Sequence, residues 1–133
     1  MRILAVLSLA LLWACGHDPG LDCAAVTCGP IAPAILLTVT DARGSPLMAM
    51  PTITNVVVAA TATRSQTACT FSNPTMERAD CVVDADVAGH YGCDVGATGY
   101  KTQHLEVTVP PGSTGGCCPT PHGSVSLAVS LAP

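Results

Sequence analysis

Apolar and polar residues alternate along much of this chain with the period of two that a half-buried strand requires. Near the C-terminal end, Val125, Leu127, Val129 and Leu131 alternate with Ser124, Ser126, Ala128 and Ser130. Upstream, Leu105, Val107 and Val109 alternate with His104, Glu106 and Thr108 and stop at Pro110-Pro111-Gly112. Between Gly89 and Tyr100, the residues Tyr91, Cys93, Val95 and Ala97 share one face, while Gly92, Asp94 and Gly96 share the other. The first of these faces is the core side, and Gly99-Tyr100 turns the chain toward the next strand.

The earlier part is β-like as well. Ile35 to Thr40 is β-branched and aliphatic, and it closes at the turn Asp41-Ala42-Arg43-Gly44-Ser45-Pro46, where Gly44 supplies a positive φ and Pro46 cannot donate to a ladder. Thr52 to Thr63, centred on Val56-Val57-Val58-Ala59-Ala60, is apolar on both faces and reads as a central or covered strand. Gln66 to Phe71 and Ala79 to Asp84 flank the breaker Ser72-Asn73-Pro74 and read as a hairpin. About seven short strands separated by turn signals predict an all-β fold: one antiparallel seven-stranded sandwich over residues 34–133. Residues 15–33 combine Gly, Asp and Pro without a sustained period and read as a tether that becomes ordered near Cys28.

The first residues follow a different pattern. Arg2 precedes an apolar run from Ile3 to Trp13, the layout of a secretory signal and too short for a bilayer span, which needs about 20 apolar residues. The run ends in Leu12-Trp13-Ala14-Cys15, which resembles the lipobox of bacterial lipoproteins. The resemblance implies a signal peptide over residues 1–14, cleavage before Cys15, and a diacylglycerol on the Cys15 thiol. A further acyl chain on the new N-terminus would make the anchor stable, since each buried methylene contributes about 0.8 kcal/mol. Gly16 after the cysteine resembles the pattern of lipoproteins sent to the outer membrane.

Composition narrows the function classes. Cleavage after residue 14 of the 133 leaves one domain's worth of chain. That part carries Arg43, Arg64, Arg78 and Lys101 against nine aspartates and glutamates, a net charge of −5, with no basic run. Nucleic acid is therefore excluded as a partner. Beyond Trp13 the aromatic residues are Phe71, Tyr91 and Tyr100, so small aliphatic residues must form the core and its hydrophobic gain is modest.

Cysteines compensate. In an exported chain, Cys23, Cys28, Cys69, Cys81, Cys93, Cys117 and Cys118 read as a disulfide framework. With Cys15 lipidated they number seven, so at most three bridges form and one thiol is spare. Cys69 and Cys81 flank eleven residues, and a bridge there would remove roughly 3 kcal/mol of loop entropy from the unfolded chain. Adjacent Cys117 and Cys118 are strained as a mutual pair, so each needs a separate partner. Cys23 or Cys28 could meet one of them if the first and last strands are neighbours. Cys93 is either the spare thiol or an inter-sheet bridge.

Chemistry-bearing motifs are sparse. Cys118 and His122 stand four apart, with His104 and His90 as further potential metal ligands, but no paired short-spaced ligand set recurs. Neither a G-x-S-x-G elbow nor an H-E-x-x-H helix is present. The string Asp80, Asp84, Asp86 and Asp94 lacks the spacing of a calcium loop. No catalytic residue, cofactor or metal site is therefore assigned.

One broader resemblance remains. A strand, then D-x-x-G-x-P from Asp41 to Pro46, later G-x-Y-x-C-x-V-x-A-x-G-Y from Gly89 to Tyr100, then a terminal aliphatic strand ending in Leu131-Ala132-Pro133, is similar to the carboxypeptidase regulatory-like domain family, which is transthyretin-like. The resemblance implies a prealbumin-like sandwich without an active site. The functional expectation is a membrane-anchored lipoprotein at the bacterial envelope, serving as an interaction or structural module for an envelope protein or glycan. The competing expectation is a metal- or carbohydrate-binding surface lipoprotein.

Overall fold

A computed structural model describes residues 23–58 and 65–133. Cys15, the lipobox and residues 59–63 of the expected second strand lie outside the described residues. After a short 3-10 turn at Cys23–Ala25 come seven strands: β1 Ile35–Asp41, β2 Thr52–Val57, β3 Ser65–Phe71, β4 Arg78–Ala85, β5 Gly89–Gly96, β6 Gln103–Val109 and β7 Val125–Leu131. They form two sheets, β3-β4-β1-β7 and β2-β5-β6, so the expected seven-stranded β-sandwich is the fold.

One pair departs from the expected antiparallel arrangement. β1 and β7 run parallel, from Ile35 beside Val125 to Asp41 beside Leu131, whereas every other pair is antiparallel. The cause is topological. Strand direction alternates along the chain, and β1 and β7 are both odd in that series, so once they become neighbours they must run the same way. The 15-residue stretch between β6 and β7 makes that placement possible by carrying the chain from one sheet to the other.

β2 also differs from expectation: it is an edge strand of its sheet, and Val57 is 67% exposed. Pairing with β5 holds through Thr54 and resumes at Val57 with a register shift, and Asn55 between them has φ 50°. This bulge resets the alternation. Ile53 faces the core, and after the inserted residue Val56 and Val58 face it instead of Val57. A run that looks apolar on both faces is thus a half-buried strand with its phase shifted by one.

The core is small-residue and aliphatic, with Ile35, Leu37, Val39, Val83, Val95 and Leu131 among its fully buried members. Tyr91 is the large exception; its ring is buried and its hydroxyl donates to the Val87 carbonyl. All four residues placed on the core side of β5 pack inward, and Cys93 is among them as a buried free thiol.

Where β1 and β7 end, a polar knot closes the sandwich. Asp41 is buried, and its carboxylate accepts from the Arg43 backbone N–H at 2.6 Å, the Arg43 guanidinium at 2.8 Å and the Tyr100 hydroxyl at 2.8 Å. The Tyr100 hydroxyl in turn accepts from the Met48 N–H at 3.2 Å. The Arg43 hydrogen bonds hold the Asp41 carboxyl far below the usual carboxylate range, helped by Tyr100. Gly44 makes this turn possible, with φ 73° and its N–H on the Asp41 carbonyl. The D-x-x-G-x-P turn and the Gly-Tyr corner, 59 residues apart, are thereby one structural unit.

Candidate functional site

Chemistry-bearing residues gather at two places: the end of the sandwich where β1 and β7 begin, and the solvent face of the β2-β5-β6 sheet. At the first, Cys23 is bonded to Cys117 and Cys28 to Cys118. The second bond follows the strand register. Cys28 lies seven residues before Ile35 and Cys118 seven before Val125, and Ile35 and Val125 are register partners. The parallel pair thus delivers both cysteines to the same level.

The loop between β6 and β7 is preorganised for this. Gly123 N–H donates to the Pro110 carbonyl, Pro111 bridges His122, and Thr120 N–H donates to the Ser113 carbonyl. Gly112 has no room for a side chain, because a Cβ there would lie 1.9 Å from the Thr120 carbonyl oxygen. The result is a pinned hairpin carrying the two cysteines near its tip. On the other side of the clamp, Cys23 opens the 3-10 turn Cys23–Ala25 and Cys28 follows it, so the two reach the adjacent Cys117 and Cys118. The chain is pinned from Cys23, five residues before the expected point of ordering. The third bond, Cys69 to Cys81, joins directly opposed residues of β3 and β4.

On the second site, β5 and β6 form a hairpin whose partners sum to the same value about Gly99: His90 faces Thr108, Gly92 faces Glu106, and Asp94 faces His104. Gly99 has φ 88° and makes the turn. Along this face the side chains join in a chain of hydrogen bonds. Asn55 of β2 donates to Asp94 at 2.7 Å, His104 Nδ1 lies 2.6 Å from Asp94, and His104 Nε2 lies 2.8 Å from Glu106. The other oxygen of Glu106 is 2.8 Å from His90 Nε2, and His90 Nδ1 is 3.2 Å from the Thr108 hydroxyl. Gly92 leaves space for this: a Cβ there would lie 3.1 Å from the Glu106 carboxylate.

Three groups of the chain are shifted by their partners. Asp94, through Asn55 and then His104, is lowered, as is Glu106 through His104, while His104 is raised by its bonds to Asp94 and then Glu106. Burial raises the Cys93 thiol behind the sheet, with a further contribution from Asp94 and Glu106. A buried neutral thiol is a poor nucleophile. Asp94 and His104 make the orienting half of a catalytic triad, yet the far nitrogen of His104 meets a carboxylate where a nucleophile would stand.

The potential metal ligands do not converge. Cys118 is bonded to Cys28, and His122 is buried at the clamp end with its Nδ1–H donated to the Gly123 carbonyl. His90 and His104 lie on the other sheet and reach opposite oxygens of Glu106. Among the described residues no three His, Cys, Asp or Glu side chains are grouped to hold a metal. The expected acidic string is likewise dispersed. Asp80 pairs with Ser72 and Arg78, Asp94 joins the histidine chain, and Asp84 and Asp86 line an open cleft of about 290 Å³ beside Gln66 and His122.

Glu106 is the residue that sequence reasoning missed. Its signal was available in the turn at Gly99, since a hairpin centred there puts Glu106 opposite a glycine and between two histidines. No protein-family model, curated protein or solved structure matches the chain.

Proposed function

We propose that the chain is an exported lipoprotein, anchored to the bacterial envelope through Cys15, whose prealbumin-like sandwich is a non-catalytic interaction or structural module. The observation that carries this reading is the use of the cysteines. Six of the seven described cysteines are paired, and the seventh, Cys93, is 1% exposed in the core. No thiol of the folded domain is left for Cys15, which is the situation a lipidated cysteine requires. Three disulfides also fit an oxidising compartment. Seven residues separate Cys15 from Cys23, so an anchor at Cys15 holds the clamped end within roughly 30 Å of the bilayer. The edge strands and loops remain for an envelope protein or glycan.

Intact mass of the protein purified from membranes tests the reading, taken before and after reduction and alkylation. The expected species begins at Cys15, carries a diacylglycerol and acyl mass, and takes up one alkyl group unreduced but denatured and seven after reduction. A chain beginning elsewhere, or a Cys15 engaged in a disulfide, overturns it. A Cys15→Ser chain should remain in the uncleaved form.

A further inference from the structure

We propose that His104, bonded through both ring nitrogens to Asp94 on β5 and Glu106 on β6, is a proton-operated clasp across the outer face of the β2-β5-β6 sheet. Hydrogen-bond capacity sets the protonation state of this ring. An ionised carboxylate only accepts, and a neutral imidazole has one N–H and one lone pair. His104 lies 2.6 Å from Asp94 through Nδ1 and 2.8 Å from Glu106 through Nε2, so both contacts are hydrogen bonds only when both nitrogens carry a proton. The arrangement is that of an imidazolium.

His90 differs. The Thr108 hydroxyl can donate to its Nδ1 while its Nε2–H donates to Glu106, so a neutral ring satisfies both of its contacts. The charge requirement falls on His104 alone. When His104 loses its proton, one nitrogen presents a lone pair to a carboxylate and that contact must open. The face then gains one negative charge, and His104 no longer bridges the two carboxylates, while His90 still joins β5 to Glu106 and Thr108 of β6.

The groups facing His104 fix the direction. Asp94 of β5 and Glu106 of its own strand bond it directly, His90 of β5 stands on the other oxygen of Glu106, the neutral Asn55 of β2 stands on the other oxygen of Asp94, and the Cys93 thiol lies on the opposite side of β5. Both carboxylates favour the charged ring, so His104 holds its proton above the ordinary imidazole value of 6.5. A raised folded-state value means that the clasp is fully closed below 6.5 and opens as pH rises through the higher folded value. Asp94 and Glu106 are lowered, so their share is present above their ordinary values of 3.8 and 4.5 and is lost in stronger acid. The clasp is therefore tightest in mildly acidic surroundings. Its opening is felt at β2, because Asn55, at the bulge of that edge strand, hangs from the second oxygen of Asp94.

The test is nitrogen-detected NMR of the full chain with its disulfides intact, titrated from pH 5 to 9. Expected are two protonated ring nitrogens on His104 at pH 6, a midpoint above that of histidine in an unfolded peptide, and Asn55 side-chain and β2 amide signals that follow the same midpoint. Asp94→Asn should lower the midpoint and uncouple the β2 signals. Gly92→Ala should lower it by displacing Glu106 while leaving every titratable group in place. A single protonated nitrogen at pH 6, a peptide-like midpoint, or β2 signals indifferent to His104 overturns the proposal using the unaltered chain alone, whether or not either variant folds.

Discussion

The two ends of the β1–β7 pair are closed by opposite means. Where these strands begin, Cys23–Cys117 and Cys28–Cys118 hold the chain covalently around segments that have little regular structure of their own. Where they end, a buried carboxylate collects hydrogen bonds from Arg43 and Tyr100, and the Ala42 and Lys101 amides donate to the Leu131 and Ala132 carbonyls. One closure answers to reductants and is indifferent to pH. The other answers to acid and is indifferent to reductants. A core with one large buried ring has limited hydrophobic gain, so both ends need fastening, and the two fastenings fail under different conditions.

Loss of the clamps should destabilise the domain most. Removing Cys23–Cys117 or Cys28–Cys118 alone opens only the small ring the two bonds make together, so each single loss should cost about 2 kcal/mol. Removing both frees a loop of about ninety residues and should cost about 7 kcal/mol on the same chain-entropy estimate, far more than the two singles added. Urea unfolding of the two paired Cys→Ser variants and of the quadruple variant measures this; additive losses would show that the clamps act independently.

Next in size is Tyr100→Phe, which removes two hydrogen bonds from the knot and should cost about 2 kcal/mol in the same assay. Asp41→Asn sharpens the contrast through pH. Because Asp41 binds a proton less readily when folded, its contribution is complete above the ordinary carboxylate value of 3.8 and is lost as pH falls below it. The variant should therefore lose part of the steep acid limb of the stability–pH profile, while loss of the clamps should lower the whole profile without changing that limb. The smallest effect is expected from Gly44→Ala. Nothing lies within 4 Å of a Cβ there, so only the strained positive φ costs, about 1 kcal/mol.

Much of the fold was legible because alternation and turn residues act locally. The strands at Ile35, Gln66, Ala79, Leu105 and Val125 lie where their apolar periods put them, and the Cys69–Cys81 bridge follows from the hairpin around Asn73-Pro74. Non-local facts were less legible. The bulge at Asn55 shifts the phase of β2, so its valines gave the wrong picture of a covered strand. The parallel β1–β7 pair depends on where the chain crosses between sheets, which no local pattern encodes. Spacing suggested Cys118 and His122 as metal ligands because four residues separate them, but Cys118 is consumed by a partner 90 residues away. The histidine–carboxylate chain needs the hairpin register, Gly92's lack of a side chain and Asn55's position together, and each alone reads as ordinary surface.

The equal seven-residue offsets of Cys28 and Cys118 have a mechanical meaning. If tension is applied at the N-terminal side, it enters the domain at Cys23 and divides at once, through Cys117 and Cys118, between two strands of one sheet. Both are pulled from the same end and in the same direction. Peeling β1 away from its neighbour, the easy way to unravel a terminal strand, is blocked, and the load is met in shear by a whole sheet. Such a domain can bear a pull from its N-terminal side and stay folded.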